Sequence, residues 1–269
     1  MDQDQFTATD VRKNLKNIWR FLLAATALSF WLPSAIADIS DTIEQIKRSI
    51  VVVGTFKKTN SPQFVLRGTG FVVGRGNLVA TNFHVLPDLI DPDAPALAVL
   101  IRTPQSEPQI RRASVVSRDK EHDLALIRIE GAALPALALR DSDSVREGQS
   151  IGFTGFPIGE ALGFSPVTHR GMISSITPIV LPSRNSQQLN EKLVRQLKGG
   201  TFNIFQLDAT AYPGNSGSPV FDIETAEVIA IINMVFIKGS HENALSSPSG
   251  ISYAIPANHL RNLLSAIAQ

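Results

Sequence analysis

The chain contains no cysteine, so its possible nucleophiles are hydroxyls, lysines and carboxylates. A hydroxyl needs a base near neutral pH, and imidazole is the usual one. Five histidines are available: His84, His122, His169, His241 and His259. His259 sits in a helical pattern near the chain end, where a cap or a solvent-facing position is expected. His241 lies in a polar loop, His169 before a strand, and His122 directly before Asp123. His84 differs, because it closes the run GTGFVVGRGNLVATNFHV, which reads as strand, turn, strand and then a polar residue. That places an imidazole at the rim of a rigid sheet. The matching hydroxyl is Ser216, within YPGNSGSP. Glycines on both sides allow a tight turn that exposes the hydroxyl and aims successive N–H groups to one side. An ordinary Gly/Pro/Asn/Ser turn between strands is the other reading of that segment.

A carboxylate is needed to orient the base. Asp123 stands immediately before the apolar run LALIRI. There it can accept the second imidazole N–H, fix the tautomer and stabilise the cation formed during reaction. The order along the chain is His84, Asp123, Ser216. One class of serine hydrolase carries its triad in this order, and others use different orders. The G-x-S-x-G pattern also occurs in α/β-hydrolases, where it joins a strand to a helix. Here Pro219 and strand-like Val220 and Phe221 follow, which disfavours that fold. No H-E-x-x-H is present, and Asp88, Asp91 and Asp93 lack the calcium-loop pattern and read as an acidic loop. No metal and no cofactor is expected.

The elements that must position these residues read mainly as strands. Short runs at 50–56, 69–73, 78–81, 97–102, 113–116, 124–129, 150–154, 202–207 and 228–235 are mostly rich in β-branched or aromatic residues and are separated by Gly, Pro, Asn and Asp. No long amphipathic helix alternates with them, which argues against a parallel α/β sheet and for paired barrels or a large sandwich. Ile39, Ile43 and Ile46 predict a short opening helix. Pro256 at a first helical position, with Leu260, Leu263, Leu264 and Ile267 on one face, predicts a closing one. An insertion at 181–200 carries Leu189, Leu193, Val194 and Leu197 at helical spacing.

The first 37 residues read separately. A polar start with Arg12, Lys13, Lys16 and Arg20 precedes an apolar stretch at 21–32, then Pro33 and the small-residue pattern Ala35-Ile36-Ala37. This is the pattern of a secretory signal peptide, and an uncleaved anchor spanning 18–36 is the alternative. The chain is expected to be exported, to a periplasm or the exterior. The 25 basic and 24 acidic residues nearly cancel and form no long basic run, so no attraction to nucleic acid is implied.

Five segments in order, GTGFVVGRGNLVATNFHV, HDLALIRI, LDATAYPGNSGSPVFD, EVIAIINMV and SYAIPANHL, resemble the trypsin-like serine proteases, specifically the HtrA/Deg-type protease domain. The resemblance runs from about residue 40 to 268. It implies an all-β fold of two perpendicular six-stranded β-barrels with short N- and C-terminal helices, spanning 38–269 with a junction near 140–150. It implies His84 as general base, Asp123 as orienting acid and Ser216 as nucleophile. Backbone N–H groups of Gly214, Asn215 and Ser216 would form the oxyanion hole. The strand at 228–235 resembles the one lining the primary pocket, which makes Thr210, Ile232, Asn233 and Met234 the candidate substrate contacts, with Ala209 beside them. No acid lies among them, so cleavage after a small or medium apolar residue is expected.

The chain departs from the family in three places. Those relatives usually carry PDZ domains after the protease domain, and none is expected within this chain. Ser218 replaces the commoner Gly. Asn215 stands where digestive relatives have an Asp that pairs with a new N-terminus, so activation of that kind is not expected. The implied activity is endopeptidase cleavage of unfolded or damaged exported polypeptides, with a homotrimer by analogy. The alternative is a catalytically impaired, chaperone-like binder of unfolded chains.

Overall fold

A computed structural model describes residues 38–87, 93–102, 107–159, 163–178, 202–233 and 251–267. Residues 1–37, read above as a leader, and 181–200, read above as an insertion, lie outside the described residues, as do His241, Met234, Asp88 and Asp91. Helix α1 (Ile39–Lys47) opens the described chain. Asp38 caps it by accepting from Ser40 N at 3.1 Å, and Ile46 is fully buried. Six strands then follow: β1 (Ile50–Phe56), β2 (Phe64–Val73), β3 (Leu78–Asn82), β4 (Ala96–Ile101), β5 (Gln109–Asp119) and β6 (Leu124–Ile129). They close a barrel in the order β1-β2-β3-β6-β5-β4, every pair antiparallel. A second barrel is built from β7 (Ser150–Gly155), β8 (Val167–Pro178), β9 (Asn203–Asp208), β10 (Pro219–Asp222), β11 (Val228–Asn233) and β12 (Ile251–Pro256), in the order β10-β11-β12-β9-β8-β7. Closure leaves neither sheet with an open edge.

Both faces of many strands are buried, which is why the sequence shows apolar runs rather than alternation. Along β1, Val51 and Val53 join a cluster with Val72, Val79, Val99 and Ile127, all from the first barrel. Ile50 and Val52 turn to a second cluster that draws on both barrels, including Phe71, Leu124, Leu126, Phe156, Phe221, Ile231 and Ile255. A third cluster, with Phe153, Ile173, Phe205, Leu207, Ile229 and Ile232, is confined to elements of the second barrel. The shared cluster holds the two barrels as one body.

The segment between the barrels, residues 130–149, is strapped down. Leu139 forms a parallel bridge with Val228, and Arg140 lies 3.1 Å from the Asp222 carboxylate. Helix α2 (Ala257–Ile267) begins one residue later than the sequence suggests, because Pro256 still pairs with Ala230 as the end of β12. Its expected face is present: Leu260 is buried, and Leu263, Leu264 and Ile267 pack against the shared cluster.

One expectation fails on α2. His259 does not cap the helix, and its ring is only partly open to solvent. Its ring stacks on His122, with centroids 3.8 Å apart, and takes the edge of Phe202 at 5.2 Å. His122 is held in turn by Asp119, Nδ1 to Oδ2 at 2.7 Å. Burial disfavours the charged Asp119 carboxylate, but the backbone and ring hydrogen bonds from His122 outweigh it and leave Asp119 below its ordinary 3.8. Burial, with the neighbouring His122 second, pushes His259 down to about 4 against the opposing pull of Asp119 and Asp143.

A sign follows for stability. An unfolded histidine protonates near pH 6.5, whereas this one resists until about 4. This group therefore leaves stability unchanged above pH 6.5, lowers it as the pH falls from 6.5 to 4, and levels off below. The Tm of the parent should fall more steeply between pH 6.5 and 4.5 than that of His259→Gln. Parallel curves would contradict this account.

Candidate active site

The site is built where β3 and β6 run side by side. Their register ends with Asn82 opposite Leu124, so the residues just beyond each strand end are neighbours. After β3 the chain makes one 3₁₀ turn, Phe83–Val85, which carries His84. Before β6 it makes a tight turn in which Asp123 has φ 52°. The left-handed region is uncommon for a residue with a side chain, though Asp tolerates it better than most. What secures it here is hydrogen bonding. The Asp123 carbonyl accepts from Phe83 N at 3.0 Å and from Asn82 Nδ2 at 3.1 Å. The Asp123 carboxylate takes His84 N on Oδ1 at 2.9 Å, and His84 Nδ1 on Oδ2 at 2.6 Å.

A further hand on this carboxylate was misassigned at sequence level. Asn233, the last residue of β11, is fully buried and donates from Nδ2 to Asp123 Oδ2 at 2.7 Å. It is therefore not a wall of the primary pocket. Its amide spans from the second barrel to the acid of the first. A buried polar side chain ending an apolar strand must have a partner, and that was the only signal in the sequence.

Because the carboxylate only accepts, the proton of the neutral imidazole sits on Nδ1 and the Nε2 lone pair is free. Asp123 is 15% exposed and His84 31%. The pair is thus shielded on the acid side and open on the side where Nε2 would work.

Ser216 lies in a loop gripped by backbone bonds. Asn215 N donates to Tyr212 O and Ser218 N to Asn215 O, both at 2.9 Å. Gly217 N donates to Ile232 O at 3.1 Å, and Ile232 N to Ser218 O at 2.9 Å. Gly214 and Gly217 have φ of 100° and 86°. A Cβ on Gly214 would stand 2.3 Å from Phe156 O, and one on Gly217 2.1 Å from Thr69 O. Both glycines are required by conformation and by space together. The loop meets the first barrel at β2, where Thr69 N donates to Ser216 O at 2.8 Å. A Cβ on Gly68 would touch Val85 at 2.7 Å and Ser216 O at 2.9 Å, so Ser216 borders the turn that carries His84. The Ser216 hydroxyl itself has no hydrogen-bond partner among the described residues. Such contacts are often long in unliganded enzymes and tighten on substrate.

The three N–H groups expected at the oxyanion position separate. That of Asn215 is spent on Tyr212 O, so it is not a free donor, a correction to the sequence reading. Those of Gly214 and Ser216 have no acceptor among the described residues. The candidate pocket residues separate as well. The Ile232 side chain is fully buried in the core of the second barrel, since its turn of the β11 alternation faces inward, and only its backbone serves the loop. Thr210 is partly exposed. Its neighbours are pinned by Ser252, whose hydroxyl donates to Ala209 O at 2.7 Å and accepts from Ala211 N at 2.8 Å. Ser252 was not anticipated.

His169, expected before a strand, lies within β8 opposite Phe153, on which it stacks at 4.7 Å. Burial pushes its ring below the ordinary 6.5. Among the described residues no group of three His, Asp or Glu could hold a metal ion. A cavity of about 580 Å³ lined by Asp141, Asn203, His259 and Arg261 includes none of the residues just described.

Comparison with known proteins fits this geometry. The "Serine protease HTR4" of Bos taurus is 28% identical over 252 residues, covering 89% of this chain and 43% of that protein. The "Probable periplasmic serine endoprotease DegP-like" of Pseudomonas putida (strain GB-1) is 29% identical over 190 residues, covering 70% of this chain and 32% of that one. The chain thus spans less than half the length of these curated relatives. The solved structure "HtrA-type protease AlgWS227A with tripeptide" superposes with a TM-score of 0.59 at 23% identity, covering 86% of this chain and 64% of that one, a likeness of fold. The profile of the trypsin-like peptidase domain matches residues 68–231, from the strand that grips Ser216 into β11, the strand that ends at Asn233. The chain belongs to the trypsin-like peptidase domain family, with HtrA-type serine proteases among its relatives.

Proposed function

We propose that the chain is a serine endopeptidase acting through an acyl-enzyme. In this reading Ser216 Oγ attacks the scissile carbonyl carbon while His84 Nε2 takes its proton. The imidazolium so formed is stabilised by Asp123 and then gives the proton to the leaving amine. The N–H groups of Gly214 and Ser216 receive the oxyanion. Water repeats the sequence on the ester and releases the acid. The observation that carries the reading is the chain Asn233–Asp123–His84, which fixes the tautomer with Nε2 free beside the glycine-flanked Ser216 loop.

The substrates proposed are unfolded or damaged exported polypeptides. The leader pattern at 1–37 and the relative described as periplasmic support that choice. Thr210 is kept as the pocket contact. A homotrimer is proposed from the family resemblance alone. A fluorophosphonate probe with mass mapping tests the function, since it reacts only with an activated serine. Labelling of Ser216 is expected, and it should disappear on heat unfolding. A protein that merely holds unfolded chains would leave Ser216 unlabelled and would overturn the reading.

Asn233→Ala provides a finer test. It removes one of three donors from the carboxylate. Loss of the hydrogen-bond partner that orients a metal-ligating side chain costs roughly 10- to 100-fold, and the partner that orients this carboxylate is expected to act at the lower end of that scale. Here kcat for a peptide substrate should fall by about tenfold with KM nearly unchanged. A rise in KM alone would return Asn233 to the pocket.

A further inference from the structure

The loop around Ser216 depends on one residue of the opposite barrel. Thr69, in β2, is fully buried, and each of its polar atoms is committed. Its N–H donates to Ser216 O at 2.8 Å. Its Oγ1 donates to Gly214 O at 2.7 Å and accepts from Phe156 N at 3.0 Å. Its carbonyl takes Thr81 Oγ1 at 2.7 Å and lies where a side chain on Gly217 would have to stand.

Peptide planarity gives these contacts leverage. A trans peptide points its N–H opposite its C=O, so anchoring one carbonyl orients the next residue's N–H. Four successive carbonyls are anchored here. Pro213 O takes Ile158 N at 2.9 Å, Gly214 O takes Thr69 Oγ1, Asn215 O takes Ser218 N, and Ser216 O takes Thr69 N. The N–H groups of Gly214 and Ser216 belong to the first and third of these peptides. The second and fourth flank the third, and both are held by Thr69. Rotating the peptide before Ser216 would drag apart one of these two bonds, each of which ends on the fully buried Thr69. The Thr69 hydroxyl also ties Phe156, the residue after β7, to the same loop.

We propose that Thr69 is a positioning residue for the reaction, its hydroxyl holding the Gly214 and Ser216 N–H pair aligned on the oxyanion. The inference rests on the proposed protease reading. The choice of residue fits the task. Serine or threonine can donate and accept at once, whereas valine of the same shape can do neither.

The test compares Thr69→Val with Thr69→Ser, each checked for an intact fold by thermal melting. Thr69→Val should lower kcat at least tenfold, with KM within about twofold of the parent, and should slow fluorophosphonate labelling in proportion. Removing an oxyanion donor outright costs roughly 10²–10³-fold, so a displaced one should cost somewhat less. Thr69→Ser should stay within about threefold of the parent. A Thr69→Val kcat within twofold of the parent would overturn the proposal. So would equal losses in the two variants, which would indict lost volume, or a change in KM alone.

Should Thr69→Val not fold, Thr69→Ala and Thr69→Ser share the missing methyl and differ only in the hydroxyl, and their kcat ratio answers the same question. If the parent neither cleaves nor labels, the protease reading fails by itself. Amide exchange over 212–218 then judges the clamp: faster exchange in Thr69→Val than in Thr69→Ser supports it, and equal exchange overturns it.

Discussion

Ser216→Ala is expected to lower kcat by roughly 10⁴- to 10⁶-fold on a peptide substrate, the scale seen when a triad nucleophile is removed. Its Tm should stay within about two degrees of the parent. The two halves of this expectation have different sources. The rate falls because no other hydroxyl on the loop replaces the lost one: Ser218 is fully buried and shut off from the groove. The fold survives because the loop holds Ser216 by its backbone, through Thr69 N, while the side-chain hydroxyl bonds to nothing among the described residues. Initial rates on casein and on a fluorogenic peptide, with melting curves alongside, check both. A variant that keeps more than a hundredth of the parent rate would remove Ser216 from the mechanism.

The same split between side chain and backbone decides what the sequence could reveal. His84, Asp123 and Ser216 were legible because each stands where a strand gives way to a turn, and because their residue types complete one another chemically. The apolar runs of β1, β6 and β11 were legible because both faces of these strands are buried. Strand β8 was expected only after His169 and given no bounds, since most of its residues are only partly buried and VTHRGMISSITP offers no apolar run. Asn233 and Thr69 were named for the wrong reason or passed over. Each acts on a residue more than a hundred positions away, or on a backbone carbonyl, and neither relation leaves a local pattern. His259 was misplaced for the same reason: its stacking partners His122 and Phe202 arrive from β6's turn and from the start of β9. A sequence displays which groups can react, whereas the donors that aim them are set by the meeting of two barrels.

Asp123→Asn isolates that aiming function, and it is expected to cost about 10⁴-fold in kcat near neutral pH, the loss typical of this change in a triad. The reason can be read from the donors around the carboxylate. Oδ1 faces the His84 backbone N–H, which cannot reverse, while Oδ2 faces His84 Nδ1 and Asn233 Nδ2. An amide has only one acceptor oxygen. Its NH₂ cannot face the backbone donor, so it takes the Oδ2 position. There the NH₂ faces the imidazole Nδ1, and the ring can respond only by moving its proton to Nε2. The ring then presents a donor, not a lone pair, toward Ser216. With Asp123 only 15% exposed, the acid side of the pair is shielded from the water that could restore the lost arrangement. Nitrogen NMR of the His84 ring should show the proton on Nδ1 in the parent and on Nε2 in the variant, with the fold unchanged. An Nδ1–H ring in the variant, or a kcat within tenfold of the parent, would mean that Asp123 acts by some means other than holding the tautomer.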